Sequence, residues 1–364
     1  MLPSGYKEVH NMSVDLLDAL DKEILDAIQK EIPLVPEPFK VMAKNLGTTE
    51  EELMARLEKM KGDSIRQISA ICDTKALGYK SSLVAARIAP DKLDEMAVKI
   101  FNSHPGITHN YKRNHDFNLW FTIALPPNSR FGLEKTVEIL GELSNVESIR
   151  ILPTLKLFKI GVQLDVKKEA EANTKSAPTY TEEMRQAAID LGITDKDIKV
   201  IIELQKDLPI VSRPFDEWAK NAGMTTEELL NHAKVLVDRG QMRRFSAVLN
   251  HRKAGFRANG MGVWNVPAEQ AEEIGMKMGS FRAVSHCYLR PTYPDWKYSI
   301  FTMVHGRDKE ECESILQAIE DETGITDRIT LYSTKEYKKT RVSYFTPEIY
   351  EWENEMAAKL GLDK

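Results

Sequence analysis

The sequence predicts an α+β protein built as a tandem repeat, each copy a winged helix-turn-helix followed by a ferredoxin-like βαββαβ domain. Three observations predict it. Long segments recur at a nearly fixed offset. Each copy opens on short helical patterns stopped by glycine. Each then changes from helical periodicity to short strand-like runs separated by helical ones.

The repeat is read directly from the residues. IRQISAICDTKALGY (Ile65–Tyr79) aligns with MRRFSAVLNHRKAGF (Met242–Phe256), which sets Arg66 on Arg243, Ser69 on Ser246 and Gly78 on Gly255. The same offset sets His109, Tyr111 and Arg113 on His286, Tyr288 and Arg290. Upstream, IPLVPEPF (Ile32–Phe39) matches LPIVSRPF (Leu208–Phe215), and NLGTTEEEL (Asn45–Leu53) matches NAGMTTEEL (Asn221–Leu229), at an offset shifted by one. Val166–Thr181 is polar and almost free of large apolar side chains, so it cannot bury a core and reads as a linker. The expected domains are helix-turn-helix 15–62, ferredoxin-like 63–165, linker 166–184, helix-turn-helix 185–240, ferredoxin-like 241–345 and a C-terminal helix 346–364.

Within copy one, Leu17, Leu20, Ile24 and Ile28 form a helical stripe, matched by Val200, Ile201 and Leu204 in copy two. A second helix follows Pro38 or Pro214 and stops at Gly47 or Gly223. A third starts at a Thr-Thr-Glu-Glu pattern, with threonine as N-cap and glutamates in the first turn. Strand character follows at Ile65–Asp73 and Ser81–Ile88, a helix at Asp91–Ser103, strands at Gly106–Arg113 and Phe117–Leu125, a helix at Phe131–Leu143, and one last strand within Val146–Lys159. Copy two repeats this order through Ile325–Ser333, and Pro347–Lys364 reads as an amphipathic packing helix.

Composition excludes several classes. A net charge of −5 and an isoelectric point near 6.0 provide no global attraction to nucleic acid, so a polyanionic ligand needs a local cluster of Arg or Lys. Cys72, Cys287 and Cys312 form no Cys-x-x-Cys pair, so neither a zinc knuckle nor a disulfide framework is expected. No signal peptide or membrane-length apolar run is visible, which predicts a cytoplasmic protein.

The candidate site lies in His-x-Tyr-x-Arg, present once per copy. On a strand, residues i, i+2 and i+4 share a face. His109, Tyr111 and Arg113, and again His286, Tyr288 and Arg290, therefore offer an imidazole, a phenol and a guanidinium on one surface. A solvated polar sheet face is the plainer reading of one such triplet; recurrence in both copies favours a site. His251 breaks the repeat, standing where copy one has Thr74. Arg243, Arg244 and Arg66 are candidates for gripping carboxylates. Trp120, Trp264, Trp296 and Tyr298 are candidates for an apolar floor, one or two of them lining the site and the rest belonging to the core. His115 and His305 rank lower, and His10, His104 and His232 have no supporting context.

The domain order resembles the leucine-responsive/asparagine-operon regulator family. RRFSAVLNHRKAGF (Arg243–Phe256) with SHCYLRPTYPDWKYSIFTMVHG (Ser285–Gly306), and DTKALGYKSSLVA (Asp73–Ala85) with GITHNYKRNHDFNLWFTI (Gly106–Ile123), resemble the two subunits of siroheme decarboxylases, an enzymatic branch of that superfamily. The resemblance spans about Asp15 to Tyr344. It implies a carboxy-lyase that removes two acetate carboxylates from siroheme to give didecarboxysiroheme, on a route to haem or haem d1, without an added cofactor. The iron is then the substrate's own; no metal site is expected beyond a possible axial histidine to that iron. In this frame His286, His251 and His109 are the expected proton donors. Arg243, Arg244, Arg66, Arg113, Arg290, Tyr111, Tyr288, Trp296 and Trp120 are the expected substrate contacts. The expected partners are a tetrapyrrole and, within one chain, the two halves of a pseudo-dimer, with further oligomerisation open. The alternative is a haem-responsive DNA-binding regulator. It is disfavoured because the third helices begin Thr48-Thr49-Glu50-Glu51-Glu52 and Thr225-Thr226-Glu227-Glu228, and carboxylates there repel phosphates.

Overall fold

Capping residues and glycine stops set the helix limits, and strand register sets everything else. The computed structural model describes residues 17–160, 182–249 and 258–362. In chain order the elements are α1 (Ala19–Lys30), α2 (Pro38–Asn45), α3 (Glu50–Met60), β1 (Ile65–Cys72), β2 (Lys80–Arg87), α4 (Leu93–Met96), β3 (Ile107–Arg113), β4 (Leu119–Leu125), α5 (Gly132–Ser144), β5 (Ser148–Leu152) and β6 (Lys156–Ile160). They continue with α6 (Glu182–Leu191), α7 (Asp195–Leu204), α8 (Asp216–Ala222), α9 (Thr226–Asp238), β7 (Met242–Leu249), β8 (Ala258–Trp264), α10 (Ala271–Ser280), β9 (Val284–Leu289), β10 (Ile300–Gly306), α11 (Lys309–Thr323), β11 (Arg328–Lys339) and α12 (Pro347–Leu360). A π-helical turn, Ala97–Phe101, extends α4. No helix among the described residues is long and apolar enough to cross a membrane.

The chain forms two units. One draws on residues 1–78 and 180–252, the other on 79–179 and 253–364. In the first, Thr49 and Thr225 cap α3 and α9, each accepting a main-chain N–H from a glutamate three residues on. Among the described strands, β1 forms a two-stranded antiparallel sheet with β7, with Ser69 opposite Ser246. Ile32 N–H donates to the Phe245 carbonyl (2.7 Å) and Leu208 N–H to the Ile68 carbonyl (2.8 Å), so each copy's helical segment is tied to the other copy's strand. The sequence reading begins the ferredoxin-like domains at 63 and 241. The structure instead keeps the Arg-bearing strands β1 and β7 with the helices, because they satisfy each other's hydrogen bonds. Helix α6 is not anticipated by the sequence reading; Arg185 on it pairs with Asp73 at 3.3 Å.

The second unit holds a nine-stranded arrangement in the order β5-β2-β4-β3-β11-β8-β10-β9-β6. Each copy contributes a four-stranded ferredoxin-like sheet, β5-β2-β4-β3 and β11-β8-β10-β9. Helices cover one face of each. Val84, Leu119 and Phe121 pack under α4, α5 and α12, and Val284, Ile300 and Val304 pack under α10 and α11. The uncovered faces meet, burying Ala85, Trp120, Leu152, Met261, Val263, Phe301 and Leu331 together. Each copy's last strand runs on to the other sheet. Residues Arg328–Tyr332 of β11 pair with β8 while Ser333–Lys339 pair with β3. In copy one this crossing is two strands rather than the single one expected: β5 pairs with β2, and β6 pairs with β9. Pro153, which has no N–H for a ladder, lies in the gap between them.

Candidate active site

A β-bulge aims the His-x-Tyr-x-Arg triplets. Ile107 and Val284 face the helix-covered cores. Continued alternation would turn His109 and His286 the same way. One extra residue, Thr108 in β3 and Ser285 in β9, interrupts the register with β4 and β10. The following residues are thereby inverted. Asn110 bonds back to the Ala97 carbonyl (3.3 Å) and to Asn102 (2.9 Å), while Cys287 lies near the Gly275 carbonyl (3.6 Å). His109, Tyr111 and Arg113, and His286, Tyr288 and Arg290, all face the space between the sheets.

That space is a cavity of about 1190 Å³, lined by both triplets together with Trp120, Met261, Phe301, Met303 and Tyr332. It exceeds the roughly 300–1,000 Å³ usual for small-molecule sites. Its rim carries Arg307, Lys309, Lys335 and Lys339 against Asp308 and Glu336, a cationic surplus in an otherwise acidic chain.

The two inner arginines lack carboxylate partners among the described residues. Arg113 donates to the Leu331 carbonyl (3.0 Å) and Arg290 to the Leu152 carbonyl, while both Nε atoms are sealed from solvent without any acceptor. Burial lowers both guanidinium pKa values to about 10, so they remain charged at neutral pH. Arg113 lies 5.9 Å from the Trp120 ring, and Arg290 lies 4.9 Å from Tyr288 and 5.3 Å from Phe301. Burial, reinforced by Glu336, raises Tyr111 to about 12; burial also raises Tyr288. Both phenols are therefore hydrogen-bond donors. His286 and His305 are pushed below the usual histidine range by burial, His286 also by the neighbouring His305.

The imidazoles are backed by hydroxyls. Thr108 Oγ1 lies 3.1 Å from His109 Nδ1 and 2.9 Å from Thr122 Oγ1. Ser285 Oγ lies 2.9 Å from His286 Nδ1 and 2.7 Å from His305 Nε2, and His305 Nδ1 lies 2.6 Å from Asn259 Oδ1. Sequence reasoning ranks His305 low and omits Ser285 and Asn259. The available signal is that His305 shares a strand face with Met303 and Phe301.

The other expected residues lie elsewhere. Arg66, Arg243 and Arg244 stand on β1 and β7 of the helical unit, where Arg243 pairs with buried Asp73 at 2.6 Å and Arg244 bonds Ser246 at 3.0 Å. His251 lies outside the described residues. Trp120 lines the cavity; Trp296 is buried behind it, 5.2 Å away between ring centres. Trp264 packs on the helix side and donates to Thr302 at 2.9 Å. His115 sits against Trp296, His104 is sealed against Trp352, and His232 pairs with Asp197 at 2.7 Å.

A siroheme decarboxylase of Hydrogenobacter thermophilus is 41% identical over 335 residues, covering 92% of this chain and 97% of that protein. The chain belongs to the siroheme decarboxylase family. Family models match on the same plan: a siroheme decarboxylase NirDL-like helix-turn-helix domain at 21–65 and 197–243, and an AsnC-like ligand binding domain at 76–159 and 253–338. The siroheme decarboxylase beta subunit of Methanosarcina barkeri is 44% identical over 146 residues, covering 40% of this chain and 96% of its own length. Among solved structures, the siroheme decarboxylase NirDL in complex with an iron-uroporphyrin III analogue superposes with a TM-score of 0.74 at 36% identity, covering 94% of this chain and 99% of that one.

Proposed function

We propose that this protein decarboxylates siroheme, releasing two acetate carboxylates as CO2 and leaving methyl groups, a step in haem formation. The observation that carries this reading is the pair of cationic guanidiniums, Arg113 and Arg290, facing one large cavity and, among the described residues, ion-paired with no carboxylate. An anionic ligand completes them, and charge-assisted bidentate bonds suit carboxylates.

The chemistry needs a proton and an electron sink. Protonation of a pyrrole carbon makes the ring electron-poor. The bond between methylene and carboxylate then breaks, its electron pair entering the ring and leaving an exocyclic methylene. Protonation of that carbon and loss of the ring proton produce the methyl. Net consumption is one proton per CO2. His286 and His109 are the proposed donors facing the cavity, with His251 as a further proposed donor. Tyr111 and Tyr288 donate hydrogen bonds, and Trp120 forms part of the apolar wall. Arg66, Arg243 and Arg244 are proposed carboxylate contacts of lesser weight, since Arg243 already has Asp73. The iron belongs to the substrate. A DNA-regulatory role is disfavoured by the glutamates opening α3 and α9.

Anaerobic incubation of the purified protein with siroheme, followed by mass analysis, tests this. Loss of two CO2 per siroheme is expected, with His286→Ala lowering the rate by about 10²-fold or more while the fold is kept. Siroheme returned unchanged by the wild type overturns the proposal.

A further inference from the structure

Each decarboxylation consumes a proton, and the cavity wall contains a chain of groups able to supply one. His286, Ser285, His305 and Asn259 are linked end to end by contacts of 2.9, 2.7 and 2.6 Å along the cavity wall, ending at the exposed side chain of Asn259. We propose that His305, acting through the Ser285 hydroxyl, is a positioning and proton-storing residue that keeps His286 loaded for each CO2 loss; this rests on the decarboxylase reading above.

Two arrangements of this chain are fully hydrogen-bonded, and they differ by one proton. In the loaded form, a minor state at neutral pH because burial lowers both rings, His305 is an imidazolium: Nδ1–H donates to Asn259 Oδ1 and Nε2–H to Ser285 Oγ, Ser285 O–H donates to His286 Nδ1, and His286 Nε2–H faces the cavity. Transfer of the Nε2 proton to substrate carbon lets the Ser285 proton pass to His286 Nδ1 and the His305 Nε2 proton pass to Ser285. The discharged chain is neutral, with every bond to Ser285 reversed and His286 Nε2 bare. Between turnovers Nε2 takes a proton from water in the open cavity and the shifts run backwards, returning the charge to His305.

Among the described residues, copy one has no ring at the position equivalent to His305. Register places Ala124 where copy two has His305, and Thr108 passes its hydroxyl contact to another hydroxyl, Thr122. At this register position the two halves of the cavity therefore differ, the His286 half carrying the proposed reservoir. The charged and titratable groups on this stretch of wall are His286 and Tyr288 on β9, Arg307, Asp308 and Lys309 leading into α11, and Tyr332 on β11.

The test compares His305→Gln, which keeps size and hydrogen bonding but cannot hold a proton, with Ser285→Ala and Ser285→Thr. His305→Gln and Ser285→Ala are expected to lower kcat at least about tenfold with the KM for siroheme unchanged, and to move the alkaline fall of kcat to lower pH. The double variant is expected to be no worse than either single one, and Ser285→Thr to keep near-normal kcat. Independently of turnover, ¹⁵N-histidine NMR of the substrate-free protein is expected to show His286 and His305 titrating as a linked pair, with the link lost in Ser285→Ala. Wild-type kcat and pH profile in His305→Gln, or unlinked titration in the wild type, overturns the relay even if siroheme is consumed. Absence of CO2 from the wild type, with the NMR link present, overturns the decarboxylase reading instead.

Discussion

A guanidinium whose Nε is sealed from solvent without an acceptor is a cost carried in the empty protein. Arg113 and Arg290 both bear it. Substituting either with Met removes an uncompensated polar group from the cavity wall and keeps the stem's packing. Thermal melts of Arg113→Met and Arg290→Met are expected to equal or exceed wild type, while each loses about 1.5–3 kcal/mol of ligand binding per charged hydrogen bond, read by absorbance titration with siroheme. His104 behaves in the opposite sense. It is sealed, its Nδ1 accepts from Gly106 N–H at 3.0 Å, and burial lowers its pKa to about 3. The unfolded chain binds a proton there below about pH 6.5 and the folded one does not, so this ring's stability contribution, fully present above pH 6.5, is lost as pH falls toward 3 at about 1.4 kcal/mol per unit. His104→Asn, which keeps an acceptor, is expected to flatten that acid limb in urea melts. At this scale the paired triplets were legible because duplication printed them twice. Ser285, Asn259 and His305 were not, because a hydroxyl and an amide acquire meaning only once two strands bring them beside an imidazole.

Among elements, the bulges at Thr108 and Ser285 decide which face each triplet occupies. The i, i+2, i+4 spacing predicts that the three side chains stay together. It says nothing of whether they point at helices or at the opposing sheet, and a single inserted residue settles that. The C-terminal helix α12 carries a second consequence. Glu353 on it is buried, accepting from Arg130 N–H at 3.0 Å and from the Ser129 hydroxyl, at the turn that starts α5. Trp352 and Met356 join the copy-one core. Glu353→Ala removes the acceptor shared by the Arg130 N–H and the Ser129 hydroxyl and is expected to cost about 1 kcal/mol in urea unfolding. The helix itself was legible from its amphipathic pattern; its attachment to copy one rather than to the copy two it follows was not, since periodicity carries no information about which sheet a stripe will cover. The same holds for β6, whose strand character was visible but whose partner, β9, lies in the other repeat.

For the molecule as a whole, the exchanged last strands make the two repeats of the sheet unit mutually dependent. A lone copy would bare Trp120, Phe301 and their neighbours and leave β3 or β9 as an open edge. Cutting the chain within 166–179 and producing both pieces together is expected to yield a 1:1 complex with wild-type turnover. Either piece alone is expected to aggregate, as read by light scattering. Relatives known as separate beta subunits fit this expectation. The tandem plan was legible from end to end in the repeat, while the division of the chain into a helical and a sheet unit was not, because it depends on β1 finding β7 across a long stretch of sequence.

Fusion has a further effect on the cavity. Opposite Tyr111 and His109 the crossing strand supplies Glu336 and Lys339 to the cavity wall; opposite Tyr288 the equivalent strand carries the uncharged Leu157, which does not line it. A protein assembled from two identical subunits must carry every substitution on both sides of its shared chamber. With both walls encoded separately, one can acquire charged side chains that the other lacks, and an unsymmetrical macrocycle then has a reason to enter in only one orientation.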